Sequence, residues 1–394
     1  MMRPTRRAVI AGGLAFPFVA RAQESQPIRL ATLTPLTGAG GSYGPPMVKT
    51  VRAVIDAVNA AGGIGGQQIT LLSEDTETNP DAGVRAARKL IDVDKVAAIM
   101  GTWASAVTTA VAPLAWQSKT MLFTTSGADS ITKLPHGGYI IRTQPNTELQ
   151  STRAAEYLAK SGAKRVFALS AQTPFAVDSY NKLSAILQQN GSQAVGDVIY
   201  DAAKTSFRSE IDKALRVKPD MLFLNGYTPD VTIIMRELYQ AGYDGMRFTF
   251  GYAGNAKMLA SLPPLVTEGL ITFSPSPDID SPAFAAVKQI LGTDNPDPYS
   301  CQTYDHASMS VLAIAKAGQA TGQAIHDTIR SICQGDGEKV TSATDGLKAL
   351  AAGKTINYDG ASGPCDFKES GDILASKFRF EQVKGGKLTL LSIS

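Results

Sequence analysis

Apolar residues along this chain alternate between two rhythms. Short runs rich in β-branched and aromatic residues predict buried strands: IRLATLT (28–34), QITLLSE (68–74), VAAIMG (96–101), TMLFTTS (120–126) and YIIRT (139–143). Between them the spacing turns helical. Met47, Val51, Val54, Ile55 and Val58 share one helix face, which Gly62-Gly63 ends, and 82–90 reads as a helix capped by Asn79 or Asp81. After Pro145 the pattern restarts. Helices at 151–159, 179–189 and 231–241 accompany strands at 165–170, 194–200, 220–227 and 247–252. Such alternation implies a parallel sheet covered by helices on both faces, built twice.

The last third breaks the rhythm. A strand at 270–274 is followed by helices at 304–318 and 325–332, a glycine-rich hairpin at 356–372, and closing strands at 377–383 and 387–394. Neither α/β unit completes its sheet by itself, so the chain is expected to cross between domains more than once. Folds of this class bind ligands at the ends of their strands.

Composition changes the picture mainly at the front. Residues 1–22 carry paired arginines (Arg6-Arg7), an apolar stretch from Ala8 to Ala20, and Ala20-Arg21-Ala22 as a small-x-small cleavage site. That is the pattern of a secretory signal peptide, with the twin-arginine route suggested by the pair, cleavage near Ala22 and a periplasmic destination. The apolar stretch is too short for a bilayer span of about 20 residues. Residues 1–22 hold four arginines and no acid, so 34 basic and 35 acidic side chains remain beyond them. A near-neutral surface argues against nucleic acid or anionic lipid as partner.

Catalytic signatures are absent from the sequence: there is no GxSxG, HExxH or Walker motif, and the glycines of PLTGAGGSYG (35–44) do not fit the GxGxxG dinucleotide spacing. The three histidines are scattered, no Cys/His cluster has metal-ligand spacing, and neither an enzyme nor a cofactor is expected. Of the three cysteines, Cys301 reads as buried, and Cys333 and Cys365 are the expected disulfide pair.

Five segments in order carry a resemblance: PLTGAGGSYG, NAAGGIGGQQITLLSEDTETNP, IMGTWAS with TTSGADSIT, NGYTPD, and TYDHASMSVLAIAKAG with DGASGPCDFKESGD. The chain resembles the type I periplasmic solute-binding proteins, similar to the leucine/isoleucine/valine-binding proteins of branched-chain amino acid ABC transporters. The resemblance implies two Rossmann-like α/β/α lobes joined by three hinge crossings, near 142–147, 273–277 and 374–377. Lobe 1 would comprise 23–144 and 275–375, and lobe 2 145–274 and 376–394. It further implies a monomer that closes on a small solute and hands it to an inner-membrane ABC permease. The alternatives are a periplasmic sensor of the same fold that regulates a partner protein, and a true branched-chain amino acid binder.

The resemblance also assigns site residues. Ser105, with the strand-end segment Thr125-Ser126-Gly127-Ala128, matches the family's carboxylate grip. Tyr43 and Trp103 match the walls of the side-chain pocket, Tyr227 and Phe175 close from the second lobe, and Tyr252 completes the aromatic wall. Ala253 matches the acid that pairs with an amino-acid ammonium in the family, and Ala128 replaces a hydroxyl that also receives it. Burying an ammonium without a carboxylate costs several kcal/mol, about the penalty of any unpaired buried charge. The two departures therefore favour an apolar or aromatic acid, or an amide, over a standard α-amino acid. Asp178 and Asp305 are the candidates for restoring the charge.

Overall fold

Two separate sheets divide the chain in the computed structural model, which describes residues 27–189 and 191–394. The expected signal peptide lies outside the described residues. The first sheet has five parallel strands: β1 (Ile28–Thr34), β2 (Ile69–Asp75), β3 (Ala98–Thr102), β4 (Met121–Thr124) and β5 (Ile140–Arg142), in the order β2-β1-β3-β4-β5. Helices α1 (Gly44–Ala60), α2 (Pro80–Arg88) and α3 (Ser105–Gln117) connect them. A π-helical turn, Lys89–Val93, prolongs α2.

After Arg142 the chain passes to the second unit. There, α4 (Thr147–Ser161), β6 (Arg165–Ala171), α5 (Pro174–Gln189), β7 (Gln193–Tyr200), α6 (Arg208–Arg216), β8 (Met221–Asn225), α7 (Thr228–Gln240) and β9 (Met246–Phe250) repeat the alternation. Two short helices, α8 (Ala256–Ser261) and α9 (Pro264–Thr267), precede β10 (Ile271–Ser276). The chain then returns to the first unit as α10 (Pro282–Leu291), α11 (Pro298–Ala317), α12 (Gly322–Cys333), β11 (Glu338–Val340), α13 (Ala343–Ala351), β12 (Ile356–Gly360) and β13 (Gly363–Pro364). It crosses a third time, to add β14 (Lys377–Lys384) and β15 (Lys387–Ile393) antiparallel on the edge of the second sheet, ordered β15-β14-β10-β9-β8-β6-β7.

Each lobe has its own apolar interior. In the first, α11 runs through the middle with residues from Tyr299 to Ile314 buried, against Val51 and Ile55 of α1 and Phe123 of β4. In the second, Phe223, Phe248, Phe273 and Phe378 come from four strands, and the rings of Phe273 and Phe378 stack at 5.1 Å. Each such side chain contributes about 1.5–3 kcal/mol on burial, enough for two independent cores.

Helices begin earlier than hydrophobic spacing predicts, because polar caps and prolines set their first turns. Asp297 accepts from Ser300 N at 3.0 Å and Pro298 opens α11; Asn146 accepts from Leu149 N at 2.9 Å ahead of α4. One expectation fails. Cys333 and Cys365, like Cys301, are buried free thiols rather than a disulfide pair. Each sits in the apolar interior of the first lobe, where burial pushes its pKa well up and holds it as a neutral hydrophobe.

Candidate functional site

The C-terminal ends of both sheets face a narrow cavity between the lobes. A bulge builds its first-lobe floor. Met100 pairs with Phe123 and Thr102 with Thr124, so Gly101 is an extra residue in β3. Gly101 has φ +91°, and a Cβ there would meet Thr34, Met47 and Thr303, so glycine alone fits without strain. The bulge delivers Trp103, Ala104 and Ser105 to the cavity at the start of α3.

That helix start is chemically exposed. Asn79, Asn146, Asn255, Ser281, Asp297, Thr321 and Ser342 cap α2, α4, α8, α10, α11, α12 and α13 with side-chain acceptors. The corresponding residue of α3 is Ala104, which offers none, and no acid occupies the first turn. Its first N–H groups and the positive end of the helix dipole are left for an anion. Ser105 Oγ is beside them and accepts from Ala128 N at 3.2 Å.

A buried arginine holds the adjoining strand-end segment. Arg142 is fully buried; Nε donates to Asp372 Oδ1 (2.5 Å), Nη1 to the carbonyl of Ala128 (2.6 Å) and Nη2 to Thr132 Oγ1 (3.0 Å). Phe175, from the second lobe, covers Gly127 so closely that a Cβ there would lie 2.6 Å from its ring. Glycine at 127 is thus a matter of space.

The expected site residues divide. Trp103, Ser105, Phe175, Tyr227 and Tyr252 line the cavity, joined by Tyr299. Tyr43 stands just outside as their support, stacked on Trp103 at 5.4 Å and edge-on to Tyr299 at 5.2 Å. Ser126 turns inward: its hydroxyl meets the Trp103 carbonyl at 2.8 Å and the Thr108 hydroxyl at 2.6 Å. Ala128 is buried in the first-lobe core and Ala253 in the second-lobe core, where a neighbour, Tyr252, takes the cavity-facing place. Thr125, from the expected strand-end segment, also lines the cavity, whereas Gln144, Thr173 and Tyr299 line it without having been singled out by motif. Their signal was positional, since each lies just past a strand or at a helix start.

The cavity lining contains no Asp, Glu, Lys or Arg. Asp178 accepts from Asp129 N (3.1 Å), and Asp305 is held by Tyr358 Oη and the amides of Ala361 and Ser362, so neither reaches the cavity. Asp230 lies behind Gly226, bound to Tyr200 Oη at 2.6 Å, and burial raises its pKa to about 6. Burial also raises the Tyr227 phenol to about 12, so that the hydroxyl stays neutral. The glycine-rich segment at 35–44 is structural: the Asp75 carboxylate accepts from Leu36 N, Thr37 N and the Thr37 hydroxyl.

The lobes are in contact across the cavity. Trp103 and Tyr227 rings lie 5.6 Å apart. Tyr43 Oη donates to the Tyr252 carbonyl (2.9 Å) and accepts from Asn255 Nδ2 (2.8 Å). Nearer the hinge, Asp129 Oδ1 accepts from Glu148 N while Asp178 of the second lobe accepts from Asp129 N. This is a closed arrangement.

Comparison with known proteins follows the same lines. The family described as periplasmic binding protein matches residues 27–387. The Leu/Ile/Val-binding protein BraC3 of Rhizobium johnstonii is 25% identical over 406 residues, covering 98% of this chain and 99% of that protein. A leucine-binding protein structure from Thermotoga maritima superposes with a TM-score of 0.78 at 22% identity, over 93% of this chain and 98% of that one. An ABC transporter solute-binding protein from R. palustris, solved in complex with benzoate, gives 0.75 at 16% identity over 93% and 96%. Among the described residues no helix is long and apolar enough to cross a membrane.

Proposed function

The chain belongs to the periplasmic binding protein family, and from that premise we propose that it captures a small aromatic or apolar carboxylate and delivers it to an ABC importer. It is a binding protein, not an enzyme. The observation that carries the ligand class is the pairing of an uncapped α3 N-terminus with a wall of Trp103, Tyr227, Tyr252 and Phe175 in a cavity without an ionised side chain. The helix N–H groups and Ser105 suit the carboxylate; the rings suit an apolar body through offset and edge contacts. An α-ammonium would find no carboxylate there. The lobes, 23–144 with 275–375 and 145–274 with 376–394, close as rigid bodies around the ligand, which is held by contacts to both.

A second reading, a branched-chain amino acid binder, is favoured by the full-length similarity to BraC3. A thermal-shift screen separates them. Ligand at 100 times its dissociation constant adds about 2.7 kcal/mol of stability. Stabilisation by benzoate, phenylacetate or 3-phenylpropionate and not by leucine supports the aromatic acid; the largest shift with leucine, isoleucine or valine establishes the second reading instead.

A further inference from the structure

The polar end of the cavity holds more than a carboxylate needs. The register of the first sheet sets Thr102 beside Thr124 and Thr124 beside Arg142, so Ser105, Thr125 and Gln144 project from the ends of three neighbouring strands. Strands are about 4.8 Å apart, so this row is wider than one carboxylate. Ser105 and the α3 N-terminus occupy its β3 end, on the side of the aromatic wall. Thr125 and Gln144 occupy the far end.

Both far-end groups are built for a ligand atom. Thr125 is 2% exposed, and its Oγ1 is the cavity-lining member of the buried side-chain atoms that have no partner among the described residues. An unpaired buried hydroxyl costs about 1–3 kcal/mol. Gln144 is 3% exposed and is fixed from behind: its Oε1 accepts from Gln302 Nε2 at 2.8 Å, leaving Nε2 as the donor on the cavity side. Gln302 is itself buried in α11, so Gln144 cannot swing away freely.

We propose that the cleft is specific for aromatic acids bearing an oxygen on carbon 2, a 2-oxo or 2-hydroxy acid, with Gln144 and Thr125 receiving that oxygen. This rests on the aromatic-carboxylate reading above and narrows it. With the carboxylate at Ser105 and the ring against Trp103, the substituent on carbon 2 points along the row toward Thr125. A carbonyl oxygen accepts from both groups; a hydroxyl accepts from Gln144 and donates to Thr125. An ammonium in the same place meets the Gln144 donor and no carboxylate. The same atoms that accept the oxygen therefore reject the amine, a selectivity made of unpaired groups rather than of size.

Titration calorimetry on the purified protein with five probes tests this: 3-phenylpropionate, 3-(4-hydroxyphenyl)propionate, phenylpyruvate, 3-phenyllactate and phenylalanine. Phenylpyruvate and 3-phenyllactate are expected to bind at least tenfold tighter than 3-phenylpropionate, and phenylalanine weakest. In Gln144→Leu and Thr125→Val the ratio of phenylpyruvate to 3-phenylpropionate affinity falls toward one. Equal affinities for 3-phenylpropionate and phenylpyruvate in the unaltered protein overturn the proposal and leave the aromatic-acid reading standing. So does a gain that follows the ring hydroxyl. If no probe but phenylalanine binds, both fail. The ratio in the unaltered protein decides the matter even where a variant does not fold.

Discussion

Ser105 and Tyr227 each meet the cavity from a different lobe, and their removal has different consequences. Ser105→Ala takes away a hydroxyl beside the uncapped amides, and Tyr227→Ala opens one face of the aromatic wall. Each is expected to weaken binding at least tenfold, about 1.4 kcal/mol, with a melting temperature near that of the parent; unchanged calorimetric affinity in both would place the ligand elsewhere. His306 gives a pH prediction at the same scale. It is fully buried in α11, its Nε2 2.8 Å from the Thr143 hydroxyl, and burial lowers its pKa from 6.5 to about 3. The unfolded chain takes up the proton near pH 6.5 while the folded chain refuses it down to about pH 3. The stability that neutral His306 contributes is thus complete above pH 6.5 and is lost on acidification, at about 1.4 kcal/mol per pH unit. Denaturant melts of the parent and His306→Gln should show the gap between them shrinking below pH 6.5. A gap independent of pH would show that the imidazole protonates equally in both states.

At the scale of elements, the decisive feature is what α3 lacks. Ala104→Asp should restore a side-chain cap, adding about 1 kcal/mol to the ligand-free protein, and place a negative charge where the carboxylate is expected. A higher melting temperature without ligand, together with at least a tenfold loss of affinity for benzoate-like acids, is the expected pair of results. Tighter binding would show that the α3 N-terminus does not face the anion. Elements were also where the sequence was most legible. Alternation of buried runs and helical spacing revealed β1 to β10 and α1, α2, α4, α5, α7, α11 and α12, because those elements carry a clear apolar face. It gave no signal for α6, whose sequence RSEIDKALR is mostly polar, or for α13. Site residues separated by a similar logic. Trp103 and Tyr227 were found through motif context, whereas Ser126 misled because a serine at a strand end can as readily tie down its own backbone. Gln144 was invisible because its role arises from which strand ends become neighbours, a property of the assembled sheet, and Tyr299 because it depends on where the start of α11 packs against the cavity.

The molecule as a whole closes through groups of its own. Tyr43, at the start of α1, and Asn255, at the start of α8, join the lobes without any ligand atom between them. Tyr43→Phe removes a donor to the Tyr252 carbonyl and an acceptor for Asn255, worth about 1 kcal/mol. Affinity should fall roughly fivefold, and small-angle scattering of the ligand-free protein should give a larger radius of gyration. An unchanged radius with unchanged affinity would separate this contact from closure. The consequence of such a clasp reaches past affinity. Closure energy supplied by the protein lowers the threshold a ligand must meet, but it also lets some empty molecules take the loaded shape. Any partner that recognises that shape will be visited by counterfeits, and these compete with genuine cargo whenever the solute is scarce. The strength of one phenol–amide contact therefore sets a trade between sensitivity at low supply and the false arrivals such a partner would have to tolerate.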